Sequence, residues 1–168
     1  MDYVLDNGMM SGVGGGRFDP NGTLNRAMLV QVLWTIEGKP TVSGSSTFTD
    51  VTESAWYSDA VIWASSLGLV GGYGDGMFGP EAPLTREQMT MILYTYAQYK
   101  DYDVSEAGSL SSFVEHWQFS SWAEDSMVWA LGAGLVGGKG EGLLDPADNA
   151  TRAEVVQILM NFCEDIAE

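Results

Sequence analysis

The chain has 168 residues, 45% of them hydrophobic, with 23 acidic side chains against 7 basic ones and a formal charge of −16. Six tryptophans and that apolar content exclude a disordered polymer and suit one domain with a real core. The charge argues against a nucleic-acid partner, which needs a basic footprint, and no apolar run reaches the ~20 residues of a membrane-crossing helix.

A 23-residue phrase recurs without gaps at Gly8 to Val30, Gly68 to Thr90 and Gly134 to Val156, in steps of 60 (8 to 68) and 66 (68 to 134). Such a period marks a repeat architecture whose units bury their apolar faces against one another. The repeats run approximately over 1–40, 47–100 and 113–168, together one domain spanning 1–168.

The first repeat opens partway through. Tyr3 corresponds to Trp63, and the counterpart of Trp56 falls before residue 1, so its leading helix is cut short and the chain reads as a piece of something longer. Residues 1–7 are too few for a stable isolated helix. An apolar patch at Tyr3 and Leu5, frayed or covered by self-association, is therefore expected. The first 25 residues show no basic start and apolar block, so no signal peptide is expected within them. Asn25 then caps a helix with Leu29, Val32, Leu33 and Ile36 on one face, although Met28 breaks the capping box.

In the second repeat a helix is expected from about Trp56 to Leu67, with Trp56, Ala60, Trp63, Ala64 and Leu67 on one face and Ser54 as N-cap. Gly68 ends it in a left-handed C-cap, and glycines with Pro80 dictate an irregular loop. Thr85 and Gln88 form a capping box for a helix presenting Met89, Ile92, Leu93 and Tyr96. The third repeat supplies Trp122, Ser126, Trp129, Ala130 and Ala133, then Gly134, Pro146, the Thr151–Glu154 box, and Val155, Ile158, Leu159 and Phe162. Ser120 is its expected N-cap. Surface linkers lie near Gly38 to Thr47 and Lys100 to Ser112. Cys163 is the single cysteine, which excludes an intramolecular disulfide and reads as a buried, inert thiol. The fold class is all-α: three tandem helix–loop–helix repeats.

Arg26, Arg86 and Arg152 occupy the first helical position of each phrase, where the helix dipole disfavours a cation by roughly 0.3–1 kcal/mol. Two readings account for three of seven basic residues standing there. The guanidinium, with free helix N–H groups and a glycine loop, can clamp an anion. Alternatively it ties a neighbouring repeat through an acidic side chain or a loop carbonyl. A clamp would leave melting nearly unchanged on substitution by alanine; a tie would not. Trp63 and Trp129 read as core, whereas Trp56 and Trp122 fit either core packing or stacking on a sugar.

Catalytic chemistry finds little footing. Gly72-Tyr-Gly-Asp-Gly lacks the alternating acids and terminal Glu of a calcium loop, and the glycines lack a P-loop Lys-Ser/Thr pair. His116 is the only histidine, which leaves no two-His metal arrangement. Asp75 and Glu141 share one repeat position and would be held apart rather than forming a dyad. The expectation is a binding module with no enzyme activity, cofactor or metal.

Phe48-Thr-Asp-Val, Trp56, Gly68-Leu-Val-Gly-Gly-Tyr-Gly-Asp-Gly-Met-Phe-Gly-Pro and Leu84-Thr-Arg-Glu resemble an S-layer homology motif. The third repeat adds Trp122, the Gly134 to Pro146 loop and Thr151-Arg-Ala-Glu; the first carries the loop and Asn25-Arg-Ala. Gln88 and Met28 depart from the family's Glu, and Leu144 from the aromatic seen at Phe18 and Phe78. The resemblance implies a pseudo-threefold bundle that attaches a bacterial surface protein, outside the cell, to secondary cell-wall polysaccharide, often pyruvylated. Grooves between repeats would hold the sugar. Arg26, Arg86 and Arg152 would clamp it, Gly12, Gly72 and Gly138 would allow close backbone approach, Trp56 and Trp122 would line the walls, and Thr85, Thr151 and Glu154 complete the ligand-contacting set. The rival reading is a structural element of a surface lattice with degenerate sugar sites.

Overall fold

The computed structural model describes residues 17–113, 119–140 and 143–166. The cut leading helix with Tyr3 and Leu5, the loop glycine Gly12, His116 and Glu141 lie outside them. Among the described residues the fold is all-α: α1 (Arg26–Ile36), α2 (Ser58–Ser66), α3 (Arg86–Tyr99), α4 (Glu124–Gly132) and α5 (Arg152–Asn161), with a 3-10 turn at Leu110–Ser112 and a π turn at Phe162–Ile166. Extended pairing there is confined to isolated bridges, Asn25 with Pro83 and Thr85 with Asn149.

The chain divides into two compact units, Met1–Pro83 and Leu84–Glu168. The division falls inside the second repeat, between its loop and its second helix. Packing is thus out of phase with the sequence period. In the first unit α1 packs on α2, the leading helix of the following repeat; in the second, α3 packs on α4 in the same way.

The helix starts follow the sequence. Asn25, Thr85 and Thr151 are N-caps, each in extended conformation and each accepting from the backbone N–H three residues on. The full capping box forms at Thr85–Gln88 and Thr151–Glu154. The apolar faces bury as expected: Leu29, Val32 and Leu33; Met89, Ile92, Leu93 and Tyr96; Val155, Ile158, Leu159 and Phe162. Ile36 is only half-buried. Gly68 and Gly134, at φ 71° and 67°, stop α2 and α4 as left-handed C-caps. Their successors Leu69 and Leu135 donate back to Ala64 O and Ala130 O at 2.9 and 2.8 Å.

The leading helices start later than the tryptophan pattern suggests. Tyr57 and Ala123 stand at their N-caps, without side-chain cap bonds. Trp56 and Trp122 therefore precede the helices and stand outside the core, and Leu67 is exposed too. The buried faces are Ala60, Val61, Trp63 and Ala64, and Ser126, Met127, Trp129 and Ala130. Ser54 and Ser120 are not N-caps. Ser120 instead donates its backbone N–H and hydroxyl to the buried Glu87 carboxylate, at 3.1 and 2.9 Å. The second linker is pinned rather than free: Gly108 N donates to Val128 O at 2.8 Å, and there is no room for a side chain against Leu131 and Gly132. Cys163 is half-buried, and burial with the nearby Glu164 pushes its thiol up, which keeps it protonated and unreactive.

Glu87→Ala would strand the Ser120 donors at the entry to α4. It should destabilise the protein by about 1–3 kcal/mol, read as a lowered denaturant midpoint at unchanged slope, with Glu87→Gln recovering part of the loss.

Candidate functional site

Two of the arginine-headed helices, α1 and α3, are locked at their starts to the loop of the next repeat. In the first unit the backbone N–H groups of Arg26 and Ala27 donate to Ala82 O and Pro80 O, both at 3.1 Å. The guanidinium adds Nε to Phe78 O at 3.0 Å and Nη2 to Gly71 O at 2.7 Å. The second unit repeats this bond for bond: Arg86 N to Asp148 O and Glu87 N to Pro146 O at 2.9 Å, then Arg86 Nε to Leu144 O and Nη2 to Gly137 O at 3.0 Å. Its remaining fork arm meets Glu154 Oε1 at 2.8 Å.

Arg26 and Arg86 thus make the carbonyl ties that were one of the two readings. They are 7% and 3% exposed, and Arg152 is 5% exposed. In α1 and α3 three of the helix-start N–H groups expected to face an anion are already donated, two to loop carbonyls and one to the cap side chain. Glu154 joins both systems. Its Oε2 accepts from Thr151 N at 2.8 Å and Thr151 Oγ1 at 2.9 Å, while Oε1 takes Arg86.

The loops are shaped by the same economy of space. A side chain at Gly72 would collide with the Met77 carbonyl and stand 2.7 Å from the Phe48 ring; at Gly138 it would stand 3.0 Å from Phe113 and 3.2 Å from Leu143 O. The close approach these glycines allow is therefore to their own loop and to an upstream phenylalanine. Phe113 plays the part of Phe48 but sits 65 residues on, not 66. A one-residue offset ahead of the third phrase hid it from the gapless register. Asp50, also unassigned by that register, clamps the second-repeat loop by accepting from Phe78 N and Gly79 N at 2.8 Å.

Burial draws the Arg26 guanidinium down from its ordinary value, opposed by Tyr73 and Asp50. For Asp50, burial acts to raise the pKa, but the Phe78 and Gly79 N–H bonds, its own backbone and Arg26 hold it below the ordinary carboxylate range. Glu154 is likewise lowered: burial opposes, and the Thr151 bonds, Arg86 and Lys139 prevail. Tyr57 is raised by burial and by Glu81 and Asp50.

What faces solvent differs from what ties. Trp56 and Trp122, at one repeat position, are 56% and 49% exposed. Trp56 meets Tyr57 edge-on at 5.1 Å. Tyr73, 53% exposed, is backed by the Arg26 guanidinium at 4.9 Å from its ring centre. At its position in the third repeat stands Lys139, whose Nζ lies 3.2 Å from Asp148 Oδ2 and 3.6 Å from Glu154 Oε1.

Fold and site together define a class: a helical repeat module in which the second- and third-repeat loops are each held by the arginine of the preceding repeat's second helix. The S-layer homology domain model matches residues 47–90 and 118–156, and through these two segments the chain belongs to that family. It is similar to an amylopullulanase of Thermoanaerobacterium thermosulfurigenes, 28% identical over 98% of this chain and 9% of that protein. It is similar also to the surface-layer 125 kDa protein of Lysinibacillus sphaericus, 26% identical over 97% of this chain and 14% of that one. A cellulosome-anchoring protein of Acetivibrio thermocellus is 24% identical over 92% of this chain and 35% of its own length. The chain therefore spans between 9% and 35% of these relatives. No helix among the described residues is long and apolar enough to cross a membrane.

Arg86→Ala should destabilise the protein by about 3 kcal/mol, since it leaves two carbonyls without their donor and removes the arginine from Glu154 Oε1. Arg26→Ala, which strands carbonyls only, should cost about 1–3 kcal/mol. Denaturant titration checks both, and lysine should not rescue Arg86 because a single ammonium cannot span three acceptors.

A carboxyl lowered by folding contributes stability above its unfolded pKa and loses it as pH falls through the folded value. Asp50 and Glu154 should therefore make the melting temperature fall as pH drops below about 5. Glu154→Gln should melt lower at pH 7 and lose less on acidification than the parent, in melts taken at intervals down the acid range.

Proposed function

We propose that this chain is a cell-wall-binding module that holds a surface protein non-covalently to secondary cell-wall polysaccharide, pyruvylated, outside the cell. The observation that carries the reading is the S-layer homology match over 47–90 and 118–156, shared with relatives named as a surface-layer protein and a cellulosome-anchoring protein. Trp56 and Trp122 support it: large aromatic surfaces left to solvent at equivalent positions suit the apolar face of a sugar. In this reading the pseudo-threefold arrangement places the sugar in grooves between repeats. The loops around Gly72 and Gly138 form the rims, Thr85, Thr151 and Glu154 fix the helix starts beside them, and Arg26 and Arg86 hold these loops in place. Several weak sites acting together supply avidity. The module itself does no catalysis; any activity belongs to whatever it anchors.

Purified wall sacculi should pull the protein down, and chemical removal of the polysaccharide should abolish this. Trp56→Ala with Trp122→Ala should weaken binding by at least about tenfold without lowering the melting temperature. Retention on stripped sacculi, or protein that sediments by itself, would favour the lattice-assembly reading instead.

A further inference from the structure

We propose that the two described loop faces are not duplicates: Lys139 makes the third-repeat face the one that receives an acidic group, while Tyr73 makes the second-repeat face a stacking surface for neutral sugar. The inference rests on the polysaccharide-binding reading and assigns its chemistry to particular residues.

Equivalent positions carry opposite chemistry. Tyr57, Tyr73, Phe78 and Glu81 in the second repeat become Ala123, Lys139, Leu144 and Ala147 in the third. Around Tyr73 the charged neighbours facing solvent are carboxylates, since Arg26 is 7% exposed and its Nε and Nη2 are bonded to Phe78 O and Gly71 O. Asp50 and Glu81 both act on Tyr57, and Asp50 acts also on Arg26. A ligand carboxylate arriving there meets like charge, whereas an uncharged sugar meets the open aromatic surface of Tyr73 and Trp56.

The third-repeat face also carries carboxylates, Asp145 and Asp148 standing where the second has Gly79 and Ala82, but it adds a cation. Arg86 is as inaccessible as Arg26, with a side chain 4% exposed and acceptors on Nε, Nη1 and Nη2. Lys139 is different in kind. Its side chain is 30% exposed, and its nearer partner, Asp148, has a side chain 62% exposed. Such a pair is solvated and contributes little net stability. Its other neighbour, Glu154, is already satisfied by Thr151 and Arg86. A ligand carboxylate can therefore take the place of Asp148 on the Lys139 ammonium at small cost. The same exchange at Arg86 would break the fold's own lock. The cation offered to an acidic sugar is the lysine, not the arginine at the helix start.

The test is calorimetric titration of the chain with wall polysaccharide released from sacculi, either native or with its carboxylates chemically reduced to alcohols. The parent should prefer the native form by about tenfold, as expected for one charge-assisted contact. Lys139→Gln should bind native polysaccharide about tenfold more weakly and the reduced form as before, with melting only slightly lowered, and Lys139→Arg should restore the preference. Tyr73→Ala should weaken both forms by the same factor. A parent that binds both forms equally, or a Lys139→Gln chain that keeps the parent's preference, overturns this inference and leaves anchoring standing. A parent that binds neither form overturns both.

Discussion

An irregular glycine loop and a helix start have complementary deficits, and the structure depends on their meeting. The loop turns too sharply to pair its carbonyls with one another, and a helix begins with N–H groups that have no partner inside it. In each unit four loop carbonyls find their donors at the start of the preceding repeat's second helix: two on the backbone and two on the arginine side chain. The arginine stands where the helix dipole disfavours it. Its position is explained by reach, because a planar fork leaving the first helical residue bridges two carbonyls seven residues apart in the loop.

This lock sets the packing unit. Because the helix of one repeat supplies donors to the loop of the next, the compact pieces straddle repeat boundaries, and the first ends between Pro83 and Leu84. The capping box takes part in the same system. Glu154 closes the box with one oxygen and receives Arg86 with the other, so the cap of α5 and the lock of α3 share one carboxylate. With its backbone held in this way, the loop can present other side chains to solvent without needing them for its own shape.

The burial of the arginines leaves other residues of the loops to face solvent. What the two units keep identical is the carbonyl lock; what they vary is the exposed residue at the Tyr73 and Lys139 position and its neighbours. A binding module built in this way can change the chemistry of one face while its framework stays as it was. The tryptophans belong to the exposed set. They stand just ahead of their helices, seven residues before the buried Trp63 and Trp129, and are exposed.

Much of the fold was legible in the residues themselves. Caps, boxes, left-handed glycines and apolar faces are local matters of hydrogen bonding and 3.6-residue periodicity, so Asn25, Thr85, Thr151, Gly68, Gly134 and the three second-helix faces could be read one segment at a time. The repeat itself announced an all-helical module and placed three arginines at one station. Which partner each arginine takes was not legible, because the carbonyls of Gly71 and Phe78, or of Gly137 and Leu144, carry no side-chain signature and lie 45 to 58 residues away. For the same reason Asp50 and Phe113 went unassigned, their roles being contacts with distant backbone. Helical spacing placed Trp56 on the core face, but the helix begins only at Ser58, and a residue outside the helix does not obey its period. Sequence alone determined the elements and their repetition; tertiary structure decided which charges are buried as fasteners and which stay at the surface, since that depends on distances across the fold rather than along the chain.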